Sequence, residues 1–454
     1  MSVPAAADTT PIEGRHQLVA HLESGSKPRA QWRVGTEHEK FAFDLKTLRR
    51  LPYEGPNGIK ALLEGFFRFG WAPIKEGETL IGATKGKAAI SLEPGGQLEL
   101  SGAPLETIHQ TCDEVHTHLA EANAICTGLG AGLLGLGFDP KWRREDIPWM
   151  PKGRYKLMTA YMGRVGTHGT QMMYRTCTVQ ANLDFGSEAD MVKKLRVSLA
   201  LQPVATALFA NSPFTEGKPN GFLSFRSEIW RDTDNARAGM MPWAFEDGMG
   251  FERYVDYALD VPMYFVKRGD TYIDVAGSSF RAFFDGRNNS LPGERPTLSD
   301  WANHLSTIFP EVRLKRYLEM RGADGVPWGR LPALPAFWVG LLYDDESLDA
   351  AWDIVKHWNA HERQALRDDV PRFGFKARIR DRYLFEIAQE CLVLARSGLR
   401  RRGRVDHLGR DETRHLEPLD HILECGRTPA EEMLEKYNGA WAGSIEPVYQ
   451  EYAF

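Results

Sequence analysis

Cysteine is sparse in this chain of 454 residues: Cys112, Cys126, Cys177, Cys391 and Cys425 form no CxxC pair and no zinc-type spacing. An odd count without a framework excludes a disulfide-built scaffold and a structural zinc, and reduced thiols are expected. Long apolar runs are missing too. A membrane span needs about 20 consecutive apolar residues, and the longest candidate, Gly128 to Phe138, is about half glycine. No charge excess exists either: 56 Lys+Arg stand against 61 Asp+Glu, a formal charge of -5. That balance removes the electrostatic case for a dedicated nucleic-acid binder. From Met1 to Pro11 there is neither the charged start and apolar core of a secretory signal nor the Arg-rich pattern of an organelle transit peptide. A cytoplasmic protein is the expectation.

What is present is an ordinary globular composition, 43% hydrophobic and 26% charged, with no internal repeat and no low-complexity linker. A single domain with an N-terminal arm follows. From Leu105, the positions Ile108, Cys112, Val115, Leu119, Ala122, Cys126 and Leu129 step by three and four, which predicts one long amphipathic helix with Cys112 and Cys126 in its core stripe. Ser187, with Asp190 three residues on, predicts a helix start, and Pro203 a kink before Phe209. Further helices are expected after Thr297, Ser347 and Thr428-Pro429, and over Asp381 to Arg402. The cations Arg400, Arg401, Arg402 and Arg404 suit a helix C-terminus.

The strands carry more information. In Tyr174 to Phe185 the polar residues Thr176, Thr178, Gln180, Asn182 and Asp184 alternate with Cys177, Val179, Ala181, Leu183 and Phe185. Ser91, Glu93, Gln97, Glu99 and Ser101 alternate likewise with leucines, around a phase-resetting Pro94-Gly95-Gly96. Glu37 and Glu39 share a face with Gly35, and Glu319 and Arg321 share one with Tyr317. The plain reading is a half-exposed antiparallel sheet whose wet side meets water. Against it, a solvated face normally mixes Lys, Thr and Ser with its acids, whereas these segments concentrate Glu, Gln and Asn. Carboxylates gathered on neighbouring strands repel unless cations neutralise them. Hard oxygen ligands without a His or Cys cluster select Mg²⁺ or Mn²⁺, and Mg²⁺ held by carboxylates commonly bridges to phosphates, which points to a nucleotide.

The standard nucleotide motifs are absent. Gly130-Ala-Gly132-Leu-Leu-Gly135 has the GxGxxG letters but follows a helix, and reads as a helix end and turn. Gly82-Ala-Thr-Lys-Gly86-Lys87 has the wrong spacing for a P-loop, with Ala88 where a hydroxyl should ligate metal. Arginine forks suit carboxylates. Arg226 lies in an aromatic, strand-like segment, Phe225 to Trp230, and Arg154 in a loop-like one, Met150 to Tyr155.

Taken together, Gly35-Thr-Glu37-His-Glu39-Lys40-Phe41, Ser91-Leu-Glu93-Pro-Gly-Gly-Gln97-Leu-Glu99-Leu-Ser101, Met150-Pro-Lys-Gly-Arg154-Tyr155, Arg175-Thr-Cys-Thr-Val-Gln180-Ala-Asn182 and Phe309-Pro-Glu-Val-Arg313 through Tyr317-Leu-Glu319-Met-Arg321-Gly-Ala-Asp324 resemble the glutamate–cysteine ligases shared by plants and many proteobacteria. Ala210-Asn-Ser-Pro-Phe214 and Leu334-Pro-Ala-Phe-Trp-Val339 extend the likeness, which begins near Pro28. It thus implies an arm over 1–27 and one catalytic domain over 28–454. The implied fold is α+β and glutamine synthetase-like, an antiparallel sheet curled into a funnel with helices packed outside.

The resemblance further implies ATP-dependent joining of the L-glutamate γ-carboxylate to L-cysteine through a γ-glutamyl phosphate, the first step of glutathione biosynthesis. A related ligase with another amine acceptor is the alternative. A catalytically silent Mg-ATP-binding regulator on the same fold is a third reading, disfavoured by the full set of glutamates. By the same likeness Glu37, Glu39, Glu93, Glu99 and Glu319 hold Mg²⁺, with Mn²⁺ as substitute, and Gln180 and Asn182 line the ATP site. Arg321 contacts phosphates and, with Glu37 and Glu39, is catalytic, while Arg154 and Arg226 grip glutamate. The partners are glutamate, cysteine and ATP, acting on a monomer or homodimer. Two departures from plant members are Pro332, where a regulatory cysteine is expected, and the missing transit pattern, which suggests a bacterial enzyme.

Overall fold

The computed structural model describes residues 8–454. At its centre lies an antiparallel sheet of nine strands: β1 (Val34–Asp44), β2 (Ala72–Glu76), β3 (Thr79–Lys85), β4 (Ala88–Leu92), β5 (Gln97–Ser101), β6 (Ala131–Leu134), β7 (Thr178–Leu183), β8 (Val312–Leu314) and β9 (Leu318–Asp324). They run in the order β8-β9-β7-β1-β5-β4-β3-β2, and β6 pairs with the far end of β1. Among the described residues the row is open, with β8 and β2 at its ends, so the architecture is the expected α+β class and not a closed barrel.

Register decides which residues share a face, because directly opposed residues in an antiparallel pair point the same way. Glu39 is opposed to Glu99, and Glu99 to Ser91. Glu37 is opposed to Ser101 on one side and Gln180 on the other. Arg313, Glu319, Asn182 and Gly35 form a third row across β8, β9, β7 and β1. Three polar rows thus occupy the front face. Behind them Ile90, Leu98, Leu100, Val179, Ala181, Leu183 and Met320 are buried.

Helices cover that apolar back. Under β4 and β5 lies α1 (Ile108–Leu129), whose start is fixed by Thr107 accepting from the Gln110 N–H and whose end is a left-handed Gly130. The other half is covered by α3 (Glu188–Leu208), α5 (Ala333–Leu342) and α6 (Leu384–Arg402). Every residue of α5 is buried, as an apolar all-round sequence requires. On the front side α2 (Gly153–Val165) and the short α4 (Phe225–Ile229) bring their first turns to the sheet. Residues 11–27 of the expected arm carry a helix, Arg15–Glu23, whose Leu18 and Leu22 lie in the same core as α3, while residues 1–7 lie outside the described residues.

Several expectations hold closely. Ser187 accepts from the Asp190 N–H, Thr297 and Thr428 cap their helices, and Pro94-Gly95-Gly96 is the β4–β5 turn. That turn needs Gly95, since a Cβ there would lie 2.4 Å from the Tyr174 carbonyl oxygen.

Others need correction. Arg154 and Arg226 sit on helices, not on a loop and a strand. Tyr174 and Arg175 end a short helix, so β7 begins only at Thr178. The helix expected after Ser347 starts three residues earlier, at Asp345, capped by Asp344, and α6 starts at Leu384 after a small hairpin. Cys112 is half-exposed where Cys126 is buried, because the stripe widens past the N-terminal turns. Gly130 does end α1, but the chain passes directly into β6. At the basic end of α6, Arg401 pairs with Asp344, Arg402 with Glu412 and Arg404 with Glu106.

Candidate active site

The front face is largely withdrawn from bulk water. It lines a recess of about 850 Å³, its mouth included, whose walls carry Glu39, Glu93 and Glu99 at one end and Arg313 and Arg321, with Glu37 beside them, at the other. Gln180 lies between them, and Arg154 and Arg226 enter from α2 and α4. This corrects the half-exposed sheet: Glu37, Glu99 and Gln180 are 4%, 2% and 4% exposed.

At the acidic end, Glu99 accepts from Ser91 Oγ at 3.0 Å and Ser101 Oγ at 2.9 Å. Glu39 accepts from the Thr178 N–H at 3.0 Å, while Glu37, held by Asn182 Nδ2 at 2.9 Å, lies towards Arg313 and Arg321. Burial, then the neighbouring Glu93 and Glu99, push the Glu39 carboxyl well above the usual range, against the pull of Arg226 and the Thr178 N–H. Acids in this arrangement favour a cation.

The basic end reverses the sign. Glu319 is fully buried and accepts from Arg313 Nε at 2.9 Å and Nη2 at 2.7 Å, from Arg321 Nη1 at 2.5 Å, and pairs with Lys315 at 3.0 Å. Burial opposes its ionisation, yet Arg313, Lys315 and Arg321 hold its carboxyl well below the usual range. Three cations against the two carboxylates Glu319 and Glu37 leave a net positive end suited to phosphate. Arg321 Nη1 also donates to Gln180 Oε1 at 2.8 Å. The register of β9 on β7 slips between Met320 and Ala323, the stretch that carries Arg321.

Among the described residues, Arg154 Nε and Arg226 Nε have no hydrogen-bond partner. A buried guanidinium N–H left in this state is a ready donor to an anionic ligand. Around Arg321 the rings of Trp230 and Phe309 stand 5.9 and 5.5 Å from its guanidinium carbon.

The structure therefore brings Glu37, Glu39, Glu93, Glu99, Gln180, Arg154, Arg226 and Arg321 to one cavity. Asn182 reaches it through Glu37, and Glu319 through its cations. Among the described residues no three His, Cys, Asp or Glu groups converge closely enough to hold a metal ion as they stand. The donor chemistry nonetheless fits Mg²⁺: the groups are hard oxygens, and a divalent cation relieves the repulsion that disfavours the Glu39 charge. Sequence reading gave no role to Arg313, Trp230 or Tyr155, which also line the recess. Arg313 was within reach, opposed to Glu319 across a hairpin turn, but only the pairing reveals it.

Comparison with known proteins agrees with this site. The glutamate-cysteine ligase family 2 (GCS2) matches residues 33–451. The chain is 58% identical to the chloroplastic glutamate–cysteine ligase of Nicotiana tabacum over 96% of its own length and 82% of that protein's. It is equally identical to the Arabidopsis thaliana counterpart, over 98% and 84%. A crystal structure of glutamate–cysteine ligase from Francisella tularensis in complex with AMP shares the fold at a TM-score of 0.56 and 12% identity, covering 94% of this chain and 89% of that one. These relatives overturn the cytoplasmic expectation: those at 56–58% identity are named as chloroplastic enzymes. The lack of a targeting pattern in residues 1–11 carried no information about location. The chain belongs to glutamate-cysteine ligase family 2.

Proposed function

From that membership we propose that the protein is a glutamate–cysteine ligase, joining the γ-carboxylate of glutamate to the amine of cysteine with ATP turnover, as the first step of glutathione synthesis. The observation that carries the site assignment is the polarised cavity: carboxylates at one end, an arginine cluster at the other, and two arginines with unpartnered nitrogens between α2, α4 and the sheet.

Glu37, Glu39, Glu93 and Glu99 would hold Mg²⁺, whereas Glu319, enclosed by Arg313, Lys315 and Arg321, is better read as the group that orders those cations than as a ligand. When bound there, the ion supplies positive charge against the polyphosphate. Arg321 and Arg313 face the transferring phosphoryl group and offset its charge, and Gln180 fixes the Arg321 fork. Asn182 holds Glu37 in the orientation the ATP site needs. Arg154 and Arg226 grip the carboxylates of glutamate, leaving the γ-carboxylate oxygen to attack the γ-phosphorus. That attack forms a γ-glutamyl phosphate and releases ADP. The cysteine nitrogen then attacks the acyl carbon, phosphate leaves with the C–O bond electrons, and the amine loses a proton. The recessed walls keep water from the acyl phosphate, whose hydrolysis would waste the intermediate.

A coupled assay of ADP release with ATP, Mg²⁺ and glutamate, with and without cysteine, tests this. Turnover that rises strongly with cysteine is expected. Equal rates with non-thiol amines would overturn the acceptor.

A further inference from the structure

We propose that Asp324, at the end of β9, is the positioning residue for Arg226, acting through the hydroxyls of Ser212 and Ser224. The inference rests on the reading of Arg226 as a glutamate-binding residue. It also accounts for two sequence motifs that no role has yet absorbed, Ala210-Asn-Ser-Pro-Phe214 and the Gly-Ala-Asp324 that closes the β9 motif.

Asp324 is 1% exposed and does not line the cavity. Its Oδ2 accepts from the Asn211 N–H at 2.8 Å and from Ser212 Oγ at 2.6 Å, and its Oδ1 from Ser224 Oγ at 2.7 Å. An ionised carboxylate only accepts, so both serine hydroxyls must spend their single proton on it. Their lone pairs are then left facing the other way, and both are used. Ser212 Oγ accepts from the Arg226 N–H at 3.2 Å, and Ser224 Oγ caps α4 by accepting from the Ser227 N–H at 3.2 Å.

A helix of one turn has almost no cooperativity of its own, so its geometry is set by such caps. Two of its first N–H groups are thus oriented by one carboxylate through two hydroxyls. At the other end of the residue, Arg226 Nη2 donates to the Arg321 carbonyl at 3.0 Å, three residues from Asp324 on the same strand. Backbone and guanidinium of Arg226 are therefore both referenced to β9. Packing allows Asp324 little freedom, since a Cβ added at Gly137 would lie 2.4 Å from its Cγ.

The test is steady-state kinetics of the full chain carrying Asp324→Asn, Ser212→Ala or Ser224→Ala, alone and combined with Arg226→Ala. Asparagine offers one acceptor and a competing donor, so Asp324→Asn should raise the glutamate KM about tenfold, and each serine variant about threefold. The ATP KM and kcat should stay within about twofold. With Arg226 already replaced, the Ser224→Ala change should add nothing to the glutamate KM, because the two act on one function. Effects of equal size in both backgrounds would overturn the proposal. So would glutamate and ATP KM rising together as the thermal midpoint falls. If Asp324→Asn does not fold, the two serine variants decide the matter by the same criteria. An Arg226→Ala variant with an unchanged glutamate KM would remove the underlying reading. A raised KM there, with the Asp324, Ser212 and Ser224 variants at wild-type values, would overturn this inference alone.

Discussion

Glu39 and Glu319 are the same residue type on the same face of the same sheet, yet their surroundings treat the charge in opposite ways. Glu39 stands opposite Glu99 and near Glu93, and its carboxyl is pushed well above the usual range by burial and those acids. Glu319 is enclosed by Arg313, Lys315 and Arg321, which overcome burial and hold it well below. One end of the cavity thus awaits a cation from outside, while the other has satisfied its carboxylate with built-in cations and keeps positive charge in excess. A substrate combining a metal ion with a polyphosphate is complementary to both ends at once.

Removing one charge at each end separates the two situations. Glu319→Gln should lower stability by about 3–5 kcal/mol, since three buried cations lose their shared partner, and should abolish ADP formation. A denaturant midpoint unchanged from wild type would break the contrast. Glu39→Gln should lower kcat roughly 10²–10³-fold yet leave the metal-free protein as stable as wild type or more so, because a repelling charge is gone. Calorimetry showing Glu39→Gln as destabilising as Glu319→Gln would refute the assignment of a repulsive acidic end.

Between the ends, Arg226→Ala should raise the glutamate KM about 10- to 100-fold with a smaller change for ATP, and an unchanged value would take Arg226 out of the substrate site. The smallest effect concerns pH. Glu39 has a folded pKa raised above its unfolded value, so its ionised form opposes folding. Without divalent cation, its contribution to stability is most favourable below the unfolded carboxylate pKa and declines as pH rises through the folded one. Added Mg²⁺ should therefore raise the thermal midpoint by about 2–4 °C at neutral pH and by less in acid. A midpoint shift independent of pH, or retained in Glu39→Gln, would argue against the metal reading.

How much of this could be read from the chain depends on the range of the interaction. Alternation over Thr178–Leu183 is a two-residue period, so Gln180 and Asn182 were legible as a polar face without knowledge of any neighbour. Whether that face met water or a cavity was not legible, because the answer lies in α2 and α4 folding over it from distant sequence positions. Arg154 and Arg226 were recognised as arginines of interest but placed on the wrong local structure. Arg154 opens α2, whose start no capping side chain marks, and one-turn elements such as α4 are specified by contacts from elsewhere, here Ser224 held by Asp324.

Composition and periodicity by themselves determined that the chain carries amphipathic helices, carboxylate-rich strands and no membrane-spanning helix, and the run of motifs named the family and, through it, the α+β fold. These are local or additive properties of the residues. Tertiary structure decided the rest: that Glu39 opposes Glu99, that Arg313 reaches Glu319, and that Arg321 bridges Glu319 and Gln180. Register and burial set the sign of each electrostatic interaction, and both arise only when strands far apart in sequence are brought within hydrogen-bonding distance.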